Sequence, residues 1–286
     1  MKVYAKAKGF TLVELLVVIS IIALLLAVLM PALSKARDQG QRVVCLSNLR
    51  TLTTAWCAYA ADNSYAIVGG ITGVSDAPND KPEYYWNAWV EVPQDAAGNY
   101  TGGSIGASFE FTDASMEDEI RGIEKGLLYK YVQDVKPYHC ASDPRNRNGE
   151  AWRSFTIAAG MNTNYPSYNQ SFGVQNAKKM SQIKLASQKY IFVENRDVRG
   201  WNAGFWDIQA PSKARAQWWN VVAGWHKKSS DWGFADGHVE VQMWRDKRTI
   251  DICTELDYPT QVSMRPRCSV KNNDLLWIVE RRMNNW

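Results

Sequence analysis

The chain has 286 residues and a mass of 32.4 kDa, a size that predicts one or two domains with a substantial hydrophobic core. Its composition, 46% hydrophobic and 22% charged with 19 Gly and 10 Pro, excludes a disordered chain, a collagen-like repeat and a small disulfide scaffold. The formal charge of +4 is too small to indicate nucleic-acid binding, and Lys2, Lys6 and Lys8 place much of it near the N-terminus.

Residues 12–30 form an almost uniformly apolar run. A helix of that length is about 28 Å long, close to the roughly 30 Å hydrocarbon thickness of a bilayer. The preceding lysines predict a cytoplasmic N-terminus, with the rest of the chain across the membrane. A cleaved secretory signal is the alternative, but residues 31–34 match its cleavage pattern weakly, so we expect the span to be retained.

Glu14 is the one charged side chain within this apolar run. An ionised carboxylate inside a bilayer costs at least a few kcal/mol and usually has a partner and a function. Because Glu14 lies within the first turn and a half of the run, one interpretation is that its side chain reaches the nearby interface. The residues around Glu14 favour the other interpretation, a charged partner.

The segment from Gly9 to Glu14, which reads Gly-Phe-Thr-Leu-Val-Glu, resembles the processing site of type IV prepilins and type II secretion pseudopilins. Glu14 is fifth and Pro31 twenty-second when counted from Phe10, as is common in that family. The resemblance implies that residues 1–9 are a leader, that a prepilin peptidase cuts between Gly9 and Phe10, and that the new Phe10 amine is N-methylated. Its other implied partners are pilin or pseudopilin subunits, an inner-membrane assembly platform and membrane lipid.

The chemistry of assembly fits this resemblance. The carboxylate of Glu14 on one subunit can neutralise the Phe10 amine of a neighbour, so that each buried charge has a partner. Pro31, which lacks an N–H, should kink or loosen the helix. We expect a single-pass protein of the cytoplasmic membrane whose C-terminal domain is periplasmic or extracellular, the latter when the subunit lies within a surface filament.

Beyond Pro31 the pattern becomes amphipathic, with apolar residues spaced by four and three positions. This spacing predicts that the helix continues to Asp62, with Gly40 as a local interruption. We expect residues 10–30 in the membrane or filament core, residues 31–62 packed on a domain, and residues 63–286 forming that domain. The predicted buried stripe is Cys45, Leu49, Leu52, Trp56 and Tyr59, and the polar residues between are Arg42, Asn48, Arg50 and Thr53.

The domain is predicted to be of α+β class, with the long N-terminal helix packed on an antiparallel sheet. Residues 63–122, which include an aromatic cluster at residues 84–86, indicate irregular structure with short strands. Residues 125–132 indicate a short helix or turn, and residues 190–194 a strand. Residues 233–244 predict a hairpin whose turn is Asp236-Gly237.

His226, nine intervening residues and Asp236-Gly237 resemble the C-terminal H-X9-DG signature of a prepilin-like group abundant in planctomycetes. The segments around Cys45 and Cys140 also resemble that group, although Ala141 stands where proline is frequent. The structural interpretation makes Asp236-Gly237 a type I′ turn and His226 an interior side chain that pins a loop.

The alternative for this motif is a metal site formed by His226, Asp236 and His238. Calcium requires six to eight oxygen ligands, which these three residues do not supply. Zinc prefers nitrogen and sulfur ligands, and the chain has only three histidines. No metal and no cofactor is predicted.

Five cysteines fit an extracytoplasmic domain, where disulfides persist. Cys45 and Cys57 lie about 18 Å apart along one predicted helix and cannot bridge each other. The best candidate pair is Cys253 with Cys268, which leaves at least one cysteine unpaired.

No catalytic motif is present in the sequence, so we predict a pilin-like structural subunit of a type IV pilus or type II secretion pseudopilus rather than an enzyme. The alternative is a membrane-anchored protein that binds carbohydrate or an exported substrate through an aromatic face. Core and subunit contacts are the preferred interpretation of the many tryptophans. The residues concerned are Trp86, Trp89, Trp201, Trp206, Trp218, Trp219, Trp225, Trp232 and Trp244.

Overall fold

A computed structural model describes residues 11–73, 87–101, 114–145, 151–163, 171–196, 204–226, 228–255 and 257–283. The fold is α+β, as predicted: a long N-terminal helix is followed by a domain with a four-stranded antiparallel sheet. Contacts within the chain define two compact units, Met1–Gln41 and Arg42–Trp286. Gly9, Phe10, the aromatic cluster at residues 84–86 and Trp201 lie outside the described residues.

Helix α1 runs from Leu12 to Asp62 and confirms the predicted extent. At 1.5 Å per residue it is about 77 Å long. The helix continues through Gly40, so the predicted interruption there is wrong; one glycine costs only about 1 kcal/mol relative to alanine, too little to end so long a helix. It ends at Asp62, as predicted, and Ser64 and Tyr65 just beyond it have positive φ.

The C-terminal half of α1 packs on the domain. All five members of the predicted stripe are buried, which confirms the interpretation of the spacing. Thr53 is also buried, although it was predicted among the polar positions between the stripe. Its hydroxyl donates to the Leu49 and Arg50 carbonyls, at 3.2 and 2.9 Å, so its burial leaves the polar group satisfied.

The strands of the sheet are β1 (Phe155–Ile157), β2 (Tyr190–Glu194), β3 (Ser229–Phe234) and β4 (Val239–Met243), in the order β1-β2-β3-β4. Every neighbouring pair is antiparallel. The strand predicted at residues 190–194 and the hairpin β3–β4 are confirmed. Strand β2 is buried along its whole length, as expected when both faces of a sheet are covered.

The residues of the central strands divide between two hydrophobic cores. Phe192 belongs to the core that contains the buried stripe of α1. Val193 and Trp232 belong to the second core, which includes residues from the C-terminal helices. Those helices are α4 (Lys247–Thr254), α5 (Tyr258–Ser269) and α6 (Asn273–Arg281).

Two short helices lie between α1 and β1. Helix α2 (Met116–Lys125) occupies the end of a segment predicted to be irregular. The Ser115 side chain caps it by accepting a hydrogen bond from the Asp118 N–H, which explains how a helix begins in a polar, glycine-containing stretch. Helix α3 (Tyr129–Val132) agrees with the short helix or turn predicted at residues 125–132.

Candidate functional site

The start of α1 is a reciprocal capping arrangement between Thr11 and Glu14. The Glu14 carboxylate accepts hydrogen bonds from the Thr11 N–H at 2.9 Å and from its hydroxyl at 2.8 Å. The Glu14 N–H in turn donates to the Thr11 hydroxyl at 3.2 Å. This is a capping box, with Thr11 as N-cap and Glu14 at the third helical position. The Thr-x-x-Glu spacing was legible in the sequence, and the sequence reasoning missed it.

The other polar group of the apolar run is also satisfied locally. The Ser20 hydroxyl donates to the Val17 carbonyl at 2.8 Å, so it needs no water or neighbouring chain. The apolar side chains along this run are exposed. Pro31 lies inside the continuous helix, where its missing N–H removes a hydrogen bond to the Ala27 carbonyl.

Among the described residues, α1 is the helix that is long and apolar enough to cross a membrane. None of its most hydrophobic window is buried within the protein. An exposed apolar helix of this size requires lipid or other protein around it.

His226 lies inside the domain, in the loop before β3, within a cluster of titratable side chains. Its Nε2 is 3.1 Å from Glu194 Oε1, 3.3 Å from Cys140 Sγ and 3.5 Å from Asp231 Oδ2. The His226 side chain is 3% exposed, and both carboxylate side chains are fully buried. The prediction of an interior hydrogen-bonding histidine agrees with this geometry.

Ligand atoms of Cys45, Cys140, Glu194 and His226 all lie within 4.8 Å of one another. These residues come from α1, from the turn after Tyr138, from the end of β2 and from the loop before β3. The sequence reasoning placed Cys45 in the buried stripe of α1, noted Cys140 as a point of family resemblance and gave no role to Glu194. No spacing pattern could have joined the four, because they are far apart in the chain.

The cluster changes the acidity of its members. A hydrogen bond with Cys140, supported by one with His226, lowers the pKa of the Cys45 thiol to about 6 against the effect of burial. Burial raises the pKa of Cys140 well above its ordinary value. Burial also lowers the pKa of His226, but hydrogen bonds with Cys45 and Glu194 outweigh it and raise that pKa to about 10. Burial and the adjacent charge of Glu194 raise the pKa of Asp231 to about 8.

The Asp236-Gly237 turn joins β3 to β4 and contacts α1. Gly237 has φ +91°. Its carbonyl oxygen accepts a hydrogen bond from the Thr53 hydroxyl of α1 at 3.3 Å. Positive φ at this turn is confined to Gly237 among the described residues, so the predicted type I′ turn, which needs it at both central positions, is wrong. The Gly237 N–H donates to the Phe234 carbonyl and the Phe234 N–H to the His238 carbonyl, both at 2.9 Å. This pattern is a three-residue loop with glycine in the left-handed position.

The alternative metal set of His226, Asp236 and His238 is not brought together. Asp236 Oδ1 and His238 Nδ1 lie 2.5 Å apart on side chains that are each 37% exposed. Within the described part of the chain, the close grouping of metal-ligand atoms around His226 contains neither of them.

Comparison with protein-family models identifies the N-terminal end of the chain. The model for the prokaryotic N-terminal methylation motif matches residues 4–30. The chain carries a prokaryotic N-terminal methylation motif. The matched residues include the capping pair Thr11–Glu14 and the whole of the exposed apolar run at residues 12–30.

A curated relative supports the same conclusion. The chain is 47% identical over 58 residues to the type IV wide pilus major component PilA4 of Thermus thermophilus. The match covers 20% of this chain and 44% of the relative, so the chain spans less than half the length of that protein. No solved structure matches the chain. A segment of 58 residues in this chain is therefore similar to part of a type IV pilin, and the methylation motif lies at residues 4–30.

The cysteines and tryptophans beyond the methylation motif are mostly interior. All five cysteines have free thiols in the structure. Cys253 and Cys268 lie on α4 and α5 in the second core, and their pairing stays a prediction. Of the tryptophans in the aromatic proposal that the structure describes, Trp219 is the exposed one, at 44%. Buried indole rings cannot stack on a sugar, so the described residues favour the interpretation of core packing.

Proposed function

We propose that the protein is a pilin-like structural subunit that a prepilin peptidase processes and that assembles into a type IV pilus or a type II secretion pseudopilus. The observation that carries the proposal is the methylation motif at residues 4–30 on an exposed apolar helix with one acid at its start. The peptidase cuts between Gly9 and Phe10, and the Phe10 amine is then methylated. The similarity to a type IV pilin over 58 residues supports a pilus subunit.

Assembly places the apolar run of α1 among the same helices of neighbouring subunits. Those neighbours replace lipid around the exposed apolar side chains. Burying Ser20 leaves no unsatisfied polar group, because its hydroxyl is hydrogen-bonded within the helix. The remaining charge is Glu14, which lies one turn from the new chain start. Its carboxylate neutralises the Phe10 amine of an adjacent subunit and so fixes the register between helices.

The capping box gives Glu14 a second role that an experiment must separate from the first. Glutamine serves at the third position of a capping box as glutamate does. Glu14→Gln therefore keeps the cap and removes the charge, whereas Thr11→Val removes the cap hydroxyl and keeps the charge. Losing the cap costs about 1 kcal/mol of helix stability, a small amount for a helix of this length.

The test measures sheared or membrane-associated filaments from cells that express each variant, with intact mass to establish processing. Glu14→Gln and Glu14→Ala should both be processed and should both yield few filaments, while Thr11→Val should assemble nearly as the unmodified chain does. Normal filament yield from Glu14→Gln would refute the charge pairing.

Gly9→Val tests the cleavage site separately. The larger side chain should block the peptidase, so the unprocessed chain accumulates in the membrane. A product of normal length from this variant would contradict cleavage after Gly9.

We also propose that the H-X9-DG segment has a structural role in the planctomycete-type group that it resembles. His226 contacts Cys45 of α1, and Gly237 accepts a hydrogen bond from Thr53, which lies about two turns further along α1. Both ends of the segment therefore attach the sheet to α1.

A further inference from the structure

We propose that the four-residue cluster around His226 binds one structural Zn²⁺ ion. The inference is independent of the proposed function, because it concerns the interior of the domain rather than the apolar part of α1. The proposed ligands are Cys45, Cys140, Glu194 and His226.

The donor set matches zinc. Zn²⁺ in structural sites takes four ligands in a tetrahedron, drawn from cysteine sulfur, histidine nitrogen and carboxylate oxygen. Bonds of roughly 2.0–2.3 Å place neighbouring ligand atoms roughly 3.3–3.8 Å apart. His226 Nε2 lies 3.1 Å from Glu194 Oε1 and 3.3 Å from Cys140 Sγ, so a shift of a few tenths of an ångström makes room for the ion.

The two sulfur ligands exclude the other common cations. Calcium and magnesium prefer six or more oxygen ligands, which this cluster does not offer. Thiolate and imidazole together in a closed, four-ligand arrangement are typical of structural zinc. Cys45, Cys140 and Glu194 are fully buried, so the site leaves no open position for a substrate.

Neighbouring groups orient the ligands. The Ala141 N–H lies 3.1 Å from Cys45 Sγ and donates to it, as backbone amides do around metal-bound thiolates. The Asp231 N–H donates to Glu194 Oε2 at 2.9 Å, which leaves Oε1 directed at His226. Two of the four proposed ligands, Cys45 and Glu194, are thus held in place by backbone N–H groups.

Asp231 is a second, independent indication that this cluster contains an unsatisfied buried polar group. Its side chain is fully buried, and no hydrogen-bond donor reaches either of its carboxylate oxygens within the described part of the chain. The nearest cationic groups are the His226 ring at 3.5 Å and the Arg42 guanidinium at 3.9 Å. A fully buried carboxylate without a hydrogen-bond donor is costly, so Asp231 marks an unsatisfied polar environment beside the proposed ligands.

A disulfide between Cys45 and Cys140 is the competing chemistry, because both sulfurs lie within the same 4.8 Å grouping. Oxidation would remove both thiolates as ligands. A disulfide would also not explain why His226 and Glu194 lie next to those two sulfurs. The experiment therefore includes a measurement that distinguishes a disulfide from a metal site.

The first measurement is metal content. The full chain, purified in detergent under a thiol reductant and without chelators, should contain about one zinc per chain by elemental mass spectrometry. Cys140→Ser and Glu194→Gln should weaken zinc binding by at least the roughly 10- to 100-fold that loss of supporting groups alone causes. Cys57→Ser is the matched control, since Cys57 lies on the same helix outside the cluster, and it should retain the metal.

The second measurement needs no variant and so does not depend on how well one folds. Replacing zinc by Co²⁺ in the unmodified chain should give thiolate-to-cobalt charge-transfer absorption and the intense visible bands of a tetrahedral centre. A reduced chain that takes up neither metal would overturn the proposal. So would loss of the metal in Cys57→Ser, or a Cys45–Cys140 disulfide found by peptide mapping in metal-free protein from cells.

Discussion

The contact between α1 and β3 depends on the absence of a side chain at Gly233. A Cβ at this position would lie 2.4 Å from Thr53 Cγ2, 3.3 Å from Phe192 Cβ and 3.4 Å from Leu49 Cδ1. The first distance is far below van der Waals contact, and Thr53 is β-branched on a helix, where its rotamers are restricted. Gly233→Ala should therefore force α1 away from the sheet.

The size of the effect follows from two opposing contributions. Overpacking a well-packed core costs about 1–3 kcal/mol. Replacing a strand glycine by alanine returns about 0.5–1 kcal/mol of backbone entropy. Because the 2.4 Å distance puts the overpacking cost in the upper part of that range, at about 2–3 kcal/mol, the net loss in the free energy of unfolding should be about 1–2.5 kcal/mol. This loss corresponds to roughly 2–10 °C in the thermal midpoint of a domain of this size.

A second substitution locates the clash. Thr53→Ser removes Cγ2 but keeps the hydroxyl that donates to Gly237, at a cost of about 0.5–1.5 kcal/mol for one buried methyl. In the double variant, the methyl group of alanine at position 233 occupies the space that the Thr53 methyl group filled. The two effects should therefore fail to add by about 1 kcal/mol or more.

Urea unfolding of the detergent-solubilised chain, followed by tryptophan fluorescence, measures all four members of the cycle. Gly40→Ala is the control, because a Cβ at Gly40 meets nothing within 4 Å, and its midpoint should equal or exceed that of the unmodified chain. Strict additivity of Gly233→Ala and Thr53→Ser, or an unchanged midpoint for Gly233→Ala, would show that α1 does not pack on β3 in this way.

Three further predictions concern the domain. Gly237→Ala should cost about 1–2 kcal/mol in urea unfolding because φ is +91° there, and equal stability would contradict the turn geometry. Arg282→Met leaves the buried Asp207 carboxylate without the guanidinium that lies 3.1 Å from it, so the thermal midpoint should fall by roughly 6–20 °C; an unchanged midpoint would show that the pair contributes nothing. Hydrogen bonding from Arg248 lowers the pKa of Asp246 in the folded chain. The stability that the Asp246 carboxylate contributes is therefore present above its pKa in the unfolded chain and is lost as pH falls through its pKa in the folded chain. Asp246→Asn should flatten the acid end of the curve of stability against pH, and a curve identical to that of the unmodified chain would refute this.

The long helix could be predicted from the sequence because its signals are local and periodic. An unbroken apolar run and the stripe from Cys45 to Tyr59 each specify a helix with one buried face. Strand β2 was legible for the same reason, since its β-branched and aromatic residues are contiguous.

The C-terminal helices left weaker signals, which the sequence reasoning did not use. Asp246, Asp257 and Asn272 each accept a hydrogen bond from an N–H in the first turn of α4, α5 and α6 respectively. Such N-caps are legible in a sequence, but the low apolar content of α5 hides its period.

The cluster around His226 could not be predicted, for a different reason. Its ligands lie on segments that only the tertiary fold brings together, and the sheet register that places Glu194 beside His226 is not a local property. The H-X9-DG resemblance identified His226 as notable, but the alternative metal set of His226, Asp236 and His238 is wrong, because Asp236 pairs with His238 at the surface.

The most direct test of the account is the chemical identity of the N-terminus in the cell. Intact mass and N-terminal sequencing of the protein extracted from native membranes or filaments should show a chain that begins at Phe10 and carries one methyl group on its amine. A functional, assembled chain that still carries Lys2, Lys6 and Lys8 would contradict it, because the positive amine that Glu14 is proposed to neutralise would then never form.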